Sequence, residues 1–573
     1  MTPRQQYTGS RRRGATTGFI MAATAVAAVG VAQAFLAPFN PPAQGGIGVQ
    51  KASNIMHQQH QQKHSIRNTR LAATLADRPR STSFEESSKE IEAETVALKP
   101  PSREEQAKDW FNAVLADRDP HPAFGRATEE GVERFLAGET RAPTRREEAW
   151  RFTDLSRLYG RRPSKPPAVL QPAQVTALKA KIEEHTLEVC EGRVVVFVDG
   201  VHRPELSHVA RLKEEGPKEG WRAGSIFEFS KEEQEELFRE VEWAPEVGLR
   251  HTLASGSLPF SCLNQACVKD AACLVVDERG EMSAPVQFIF VSTSSQGEGG
   301  AEGEKDVRVS HPRLAVVARK RSAGKFVQSY IDIGSGTALA NACTTVRVDR
   351  RAEVQHLHAN ELGPRGLMFD AVSVTTKKLS AYKNVFVNVG GELGRVNFQA
   401  TLNGTEGRVD TEGVTITGEE QELDIHSYIH HRRKGGESNM YQCNIVSGDS
   451  HCVFKGRMKL EPRARGVTAD QLIRSIMLTD SCTVDAMPTL EVCSGDVDCT
   501  HGATVADIDE NEAFYLQSRG ISRREARQVL MMGFAAQVYN QIPCEKMKKR
   551  LGERLYDVCP DVGIAKKYEY LSV

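Results

Sequence analysis

The stretch "AVSVTTKKLSAYKNVFVNVGG", residues 371–391, has the residue pattern that indicates the fold class most directly. Apolar and polar residues alternate in short runs, as expected of strands that present one face to a core. The runs "TTVRVDRRAEVQHLHA" (344–359), "RVNFQATLNG" (395–404) and "EGVTITG" (412–418) repeat it, with Gly, Asn and Asp between them. Convincing helix patterns are missing from most of the sequence between 274 and 500. The sequence therefore predicts a sandwich, a barrel or a β-solenoid, and the lack of a strict repeat length leaves these three open.

Helical patterns flank this strand region on both sides. Ser102 and Glu105, and likewise Ser230 and Glu233, have the spacing of helix capping boxes. Near the C-terminus the capping pairs are Asp509 with Glu512 and Ser522 with Glu525, and Gly520 is placed to end the first of these two helices. We expect a mainly helical domain over 101–273, a β core over 274–502 and a C-terminal helical domain over 503–573.

The first 76 residues have a different composition from the rest. They contain no Asp or Glu and eight Lys or Arg. Three arginines at 11–13 precede the apolar run "GFIMAATAVAAVGVAQA" (18–34), which ends in Ala-x-Ala and so predicts a signal peptide over 1–34; a membrane anchor is the alternative. The acid-free sequence that follows predicts a transit peptide and disordered linker over 35–100. Together the two segments resemble the bipartite leaders of algae with complex plastids, which implies the plastid stroma.

Composition excludes several classes of function. The chain of 573 residues has a formal charge of −1 and a pI of about 7, so it lacks the basic character of a nucleic-acid-binding protein. Its 12 cysteines include no Cys-x-x-Cys pair, which suits a reducing compartment. The sequence has no Walker A motif and no Gly-x-Gly-x-x-Gly, so we expect no nucleotide to bind this chain. The mature protein is expected to have no stable membrane insertion.

The stretch "DVDCTHGATV" (496–505) contains the most suggestive pair of side chains. Cys499 and His501 are two residues apart, so on a strand they share one face. Thiolate and imidazole are ligands suited to iron, zinc or a nascent iron–sulfur cluster, but a closed zinc site needs four ligands and the local sequence supplies two. From the residues alone, a buried or hydrogen-bonded pair and a pair of metal ligands both remain open.

A second candidate surface lies on the helix that begins at Ser522. Its apolar stripe faces either the strand domain or a partner protein, and the sequence leaves both open. The stripe consists of Ala526, Val529, Leu530, Phe534 and Val538.

Several runs resemble the SufB/SufD family, and specifically its SufD branch, in the SUF complex that assembles iron–sulfur clusters. They are "LEVCSGDVDCTHGATVADIDENEAFYLQSRGISRREARQVLMMGFAAQV" (490–538), "TRREEAWRFTDL" (144–155), "VVVFVDGVHRPELS" (194–207), "FSCLNQAC" (260–267) and "HPRLAVVARK" (311–320). The SufB branch would be expected to have His-Glu-Ala where this chain has His501-Gly502-Ala503-Thr504. Asp470 and a Gly/Glu-rich insertion between 280 and 310 depart from the family pattern.

The resemblance implies a right-handed parallel β-helix flanked by helical domains. It further implies a non-catalytic scaffold that pairs with SufB and recruits the SufC ATPase through its C-terminal domain. His501, and less strongly Cys499, would take part in assembling a transient iron–sulfur cluster at the SufB–SufD interface, with any metal site shared with SufB. The alternatives are a SufB-type scaffold and a β-helix enzyme of the polysaccharide-lyase type. The latter would need a groove of carboxylates and basic residues, and the sequence shows no such cluster.

Overall fold

The computed structural model describes residues 101–138, 140–167, 169–170, 172–241, 256–294 and 306–559. The described residues from Pro101 onward belong to one compact unit. The predicted signal peptide (1–34), transit peptide and linker (35–100), and the last residues of the predicted C-terminal domain (560–573) lie outside the described residues, as does the 295–305 part of the predicted insertion.

Strands dominate the unit. They are β1 (Arg162–Ser164), β2 (Val194–Val198), β3 (Val201–His202), β4 (Trp221–Ser225), β5 (Ala272–Val276), β6 (Val286–Thr293), β7 (Asp306–Ser310), β8 (Arg313–Ala318), β9 (Ala323–Ile333), β10 (Thr337–Val348), β11 (Glu353–Asn360), β12 (Gly366–Thr376), β13 (Ala381–Asn388), β14 (Leu393–Leu402), β15 (Arg408–Thr417), β16 (Glu422–His431), β17 (Glu437–Val446), β18 (His451–Leu460), β19 (Val467–Met477), β20 (Thr483–Val492) and β21 (Val497–Ala506).

The strands form a parallel β-helix of about seven turns. From β8 onward, consecutive strands alternate between two sheets, and from β10 onward each strand pairs in parallel with the strand two before it. The sheet called A here runs β20-β18-β16-β14-β12-β10-β8-β5-β4, with β7 attached to β10 and β1 to β7, and the sheet called B runs β21-β19-β17-β15-β13-β11-β9-β6-β2-β3. The structure thus selects the solenoid from the three strand architectures that the sequence left open.

Successive turns are unequal in length, which explains the missing repeat. The positions equivalent to Glu353 in the following turns of sheet B are Ala381, Arg408, Glu437, Thr468 and Asp498. Because hydrogen bonding needs only local register, turns at the corners absorb insertions of a residue or two without disturbing the ladder. A fixed sequence period is therefore not required by this fold.

The bore between the two sheets is filled by every second side chain of each strand. Val346, Val372, Val396 and Phe398 illustrate this inward row, and each is at most 2% exposed. On many strands before β18 the other face is also buried, because helices cover it. Two-sided burial is the reason that several strands contain apolar side chains at adjacent positions.

The helices are α1 (Arg103–Ala116), α2 (Gly125–Leu136), α3 (Ser156–Tyr159), α4 (Pro172–His185), α5 (Ala210–Glu219), α6 (Lys231–Val241), α7 (Leu258–Cys267), α8 (Glu510–Ser518), α9 (Arg523–Tyr539) and α10 (Glu545–Val558). The capping boxes predicted at Ser102, Ser230 and Ser522 are present. Asp509 caps α8 by accepting a hydrogen bond from the Asn511 amide at 2.8 Å. Gly520 follows that helix with φ +87°, a conformation that favours glycine.

Helices pack along the sides of the solenoid. The outer face of sheet B is buried together with side chains of α4, α9 and α10, and the outer face of sheet A with side chains of α1, α3 and α7. The N-terminal region also contributes strands, since β2 pairs with β6 and β4 with β5. The predicted N-terminal region (101–273) is thus built into the two sheets.

The β core extends past the limit of 502 expected from the sequence. Strand β21 continues to Ala506, because its ladder with β19 runs on through the pair Ile476–Ala506. Among the described residues, no helix combines the length and the apolar character that a membrane crossing requires.

Candidate functional site

The last turn of the solenoid leaves its bore open. β20 and β21 are the final strands of sheets A and B, and within the described residues each pairs along its length with a single neighbour, β18 and β19 respectively. The C-terminal helices do not close this end, since α9 lies against β15 and β17 and α10 against β15. One edge of each sheet, with its backbone donors and acceptors, is therefore available to another strand.

Cys499 and His501 lie on this final turn. Both are on β21, and Cys499 packs with Val497 against the apolar filling of the bore. His501, two residues further along the strand, is on the same inward-facing row but is exposed, because no described strand follows β21. The two side chains sit at the rim of the open bore, which we call the mouth.

The chemistry of the two side chains differs in the isolated chain. Cys499 is half-buried, and this burial raises the pKa of its thiol. Its thiol therefore stays protonated near neutral pH until a nearby cation stabilises the thiolate. Within the described part of the chain, no group of three or more His, Cys, Asp or Glu side chains is arranged to hold a metal ion. Cys499 and His501 can thus supply two ligands, and further ligands would have to come from another molecule.

The mouth also exposes apolar side chains that the sequence reading missed. Val492 on β20 and Val505 on β21 are 45% and 46% exposed, and both occupy inward-facing positions. Leu472, on the outer face of β19 and so outside the mouth, is 43% exposed beside Gly502, which has no side chain to cover it. The alternation in 490–506 contained this information, but only the position of these strands at the end of the solenoid shows that the core is uncovered.

Most of the apolar stripe of α9 packs against the solenoid. Ala526 and Val538 are fully buried, while Val529, Leu530 and Phe534 are half-buried. Leu530 and Phe534 pack against the apolar cluster on the outer face of sheet B, and the Arg474 guanidinium lies 4.8 Å from the Phe534 ring centroid. Ala526 and Val538 are therefore inaccessible to a partner, and docking of SufC through the rest of the stripe stays a prediction.

The exposed aromatic side chains of the C-terminal region lie elsewhere. Phe514 and Tyr515 on α8 are 70% and 56% exposed, and Tyr556 on α10 is 50% exposed with the Arg524 guanidinium 4.2 Å from its ring centroid. Adjacent exposed aromatics are typical of interface anchors. The sequence contained an indication of these exposed aromatics in "NEAFYLQ" (511–517), where two adjacent aromatic residues lie in a short helix with polar residues at both ends.

Comparisons with known proteins give matches over the solenoid and part of the C-terminal helices. Residues 300–534 match the family model for the SufBD core domain of the SUF system of FeS cluster assembly. An iron–sulfur cluster assembly SufBD family protein of Synechocystis is 26% identical over 424 residues, which cover 73% of this chain and 87% of that protein. Residues 300–534 therefore carry a SufBD core domain.

Two relatives add detail on the branch of the SufB/SufD family. The SufD protein of Escherichia coli is 24% identical over 421 residues, covering 73% of this chain and 90% of that protein. The chloroplastic protein ABCI7 of Arabidopsis is 28% identical over 297 residues, covering 51% of this chain and 61% of that protein. The chain is thus a SufD-like iron–sulfur cluster assembly protein, and the SufBD core match contains both the mouth and α8.

Proposed function

We propose that this chain is a non-catalytic scaffold subunit of a SUF complex. In this proposal it pairs with SufB through the mouth and recruits the SufC ATPase through its C-terminal helices. The observation that carries the proposal is the open last turn of the solenoid, where two potential cluster ligands adjoin two unpaired strand edges and an exposed end of the core. The names of the relatives support cluster assembly as the process.

Pairing through the mouth would satisfy three needs at once. A second solenoid end would cover Val492 and Val505, accept the free strand edges and place its own side chains beside Cys499 and His501. The cluster is cargo here, since it would be assembled on ligands from both subunits and then handed on. This chain would contribute a thiol and an imidazole, and the thiolate would form as iron approaches.

Recruitment of SufC is assigned to α8 instead of the α9 stripe. Phe514 and Tyr515 are the exposed aromatics next to the mouth in sequence, and truncating an interface anchor of this type costs roughly 2 kcal/mol or more. The sequence has no phosphate-binding loop, so ATP hydrolysis would belong to the partner.

The plastid stroma is the proposed compartment. The acid-free leader over 1–76 supports import, and the chloroplastic Arabidopsis relative supports the same destination. The absence of Cys-x-x-Cys pairs agrees with a reducing stroma.

Co-purification of the mature chain with SufB and SufC, with and without ATP, tests both interfaces. We expect the wild type to retain both partners. Val505→Lys places a charge in the mouth and should release SufB but keep SufC, whereas Phe514→Ala with Tyr515→Ala should do the reverse. Leu136→Ala is the matched control, because Leu136 is 81% exposed and belongs to α2. A wild-type chain that retains neither partner refutes the proposal.

Cluster formation on the assembled complex tests the ligand pair. His501→Ala should lower the rate of cluster assembly by about tenfold or more, because it removes a ligand. Thermal unfolding and partner retention should stay the same, since His501 is exposed. Cys499→Ser should have a milder effect if sulfur arrives first on SufB. Normal assembly by the His501→Ala complex, or its failure to fold, would exclude this role.

A further inference from the structure

Directly beneath the mouth lies a buried amide without a partner. Gln471, on β19, is 2% exposed, and neither its Nε2 nor its Oε1 has a hydrogen-bond partner in the structure. Its side chain crosses the bore to strand β18, where Gly456 leaves the space that it occupies, and a Cβ at residue 456 would collide with Nε2. A buried amide that makes no hydrogen bond is costly, so this position calls for a polar group that the isolated chain does not provide.

The polar group nearest in register is the ring of His501. Gln471 and His501 are directly paired in the parallel ladder between β19 and β21. Neighbouring strands lie about 4.8 Å apart, so the two side chains are stacked on the same inward-facing row. His501 is thus one strand closer than Gln471 to the open end of the bore.

A neutral histidine must place its single ring proton on one of two nitrogens. The hydrogen bond made by one nitrogen decides which nitrogen keeps a free lone pair. While His501 faces water, either tautomer can be solvated. Once a partner covers the mouth, water leaves the ring, and the nitrogen that points into the bore needs an acceptor within the protein. The Gln471 Oε1 atom, on the residue paired with His501 in the ladder, is a buried acceptor without a partner among the described residues.

We infer that Gln471 is a positioning residue for His501: its Oε1 accepts the inward ring N–H and thereby directs the lone pair of the other ring nitrogen out of the mouth. In metal sites, an acceptor that binds the second ring nitrogen of a histidine ligand fixes the tautomer and the orientation of the ring, and the Gln471 amide would do the same for His501. This inference rests on the proposed function in so far as the outward lone pair serves cluster assembly, but the hydrogen bond itself is a property of this chain with its partner.

Two substitutions distinguish the effect of the hydrogen-bond acceptor of Gln471 from the effect of its side-chain volume. Gln471→Met keeps an unbranched chain of similar length and removes the acceptor, while Gln471→Glu keeps an oxygen at the same place. Ile473→Val is the matched control, because Ile473 is the next inward residue on β19 and pairs with Ala503 instead of His501.

The first readout is the ring tautomer, measured by nitrogen NMR of the complete complex with SufB, in which only this chain carries ¹⁵N-labelled histidine. The signal of His501 is the one that disappears in His501→Ala. We expect one defined tautomer in the wild type and in Gln471→Glu, and a mixture or the opposite tautomer in Gln471→Met. Ile473→Val should match the wild type. If His501 keeps the wild-type tautomer in Gln471→Met, the positioning role is wrong.

The second readout is the rate of cluster assembly by the same complexes, with thermal unfolding as the stability control. Gln471→Met should unfold at the same or a higher temperature than the wild type, since it removes an unpaired buried amide, and yet assemble clusters about tenfold more slowly. Gln471→Glu should recover most of the rate. A changed tautomer with an unchanged rate would show that the orientation of His501 is not used. If Gln471→Met changes the tautomer of His501 but the wild-type complex assembles no cluster, the positioning role stands and the proposed function is wrong.

Discussion

Arg395 connects the N-terminal segment to the solenoid as a fully buried cation. Its guanidinium carbon lies 3.8 Å from the Trp150 ring centroid, and its Nη1 lies 2.9 Å from Thr153 Oγ1 and 3.3 Å from Asp424 Oδ2. Trp150 and Thr153 belong to the run "TRREEAWRFTDL", which carried part of the family resemblance. Burial disfavours ionisation of Asp424, but His426 and Arg395 outweigh it and lower the pKa of this carboxyl to about 2. That run therefore has a structural role in docking onto sheet A.

Arg395→Met should destabilise the chain by about 3–5 kcal/mol at pH 7, because it leaves a buried carboxylate without its cation. In the wild type the folded pKa of Asp424 is below the unfolded value of about 3.9, so its contribution is present above about pH 4 and is lost as the pH falls toward 2. Without the cation, burial raises the folded pKa and the carboxyl can be neutralised by mild acid.

The stability difference between wild type and Arg395→Met should therefore narrow between pH 7 and pH 4.5, as measured by thermal unfolding. The control is Arg395→Met combined with Asp424→Asn, which should show no such narrowing. A difference that is constant over this pH range would contradict the account.

At the scale of the element, the amphipathic pattern of α9 is compatible with two interpretations, packing onto the strand domain and docking of a partner protein. An apolar stripe at helical spacing specifies that one face will be covered, but not by what. Here sheet B covers it, and Met531 and Ala535 are at most 1% exposed among the side chains of β15 and β17. The helix that remains available to a partner is α8, whose Phe514 is 70% exposed.

Met531→Ala should lower the free energy of unfolding by about 2–5 kcal/mol, since it leaves a cavity in a packed core. Phe514→Ala, on the exposed face of α8, should change it by no more than about 0.5 kcal/mol. Chemical denaturation of the mature chain measures both. Equal effects of the two substitutions would show that α9 does not pack as described.

At the scale of the whole molecule, composition separates the predicted leader from the residues that form the solenoid. Residues 1–76 should carry a reporter protein to the plastid, with a first cleavage near Ala34, because a basic segment, an apolar run and an Ala-x-Ala end precede an acid-free tract. Fluorescence microscopy and N-terminal sequencing measure both events. A fusion of residues 35–76 alone is the control and should stay outside the plastid, as it lacks the signal peptide. Retention of the full fusion in secretory membranes or the cytosol would refute the bipartite leader.

The sequence by itself determined the local features of this protein. The capping at Ser102 and Ser522, the end of α8 at Gly520 and the common face of Cys499 and His501 all follow from spacings within a few residues, where backbone geometry leaves few options. The runs at 144–155 and 490–538 were sufficient to predict the likeness to SufD proteins that the comparisons support.

Only the tertiary structure decided which surfaces meet. The alternation of apolar and polar residues predicted strands. It did not predict that each strand from β10 onward pairs with the strand two before it, because pairing depends on contacts between distant residues. The same alternation runs through β19 and β21, yet Gln471 is buried and His501 exposed, since a further strand follows the first and none described follows the second. The open mouth, the unpaired amide beneath it and the covered stripe of α9 are properties of position within the assembled fold, which a local pattern does not encode.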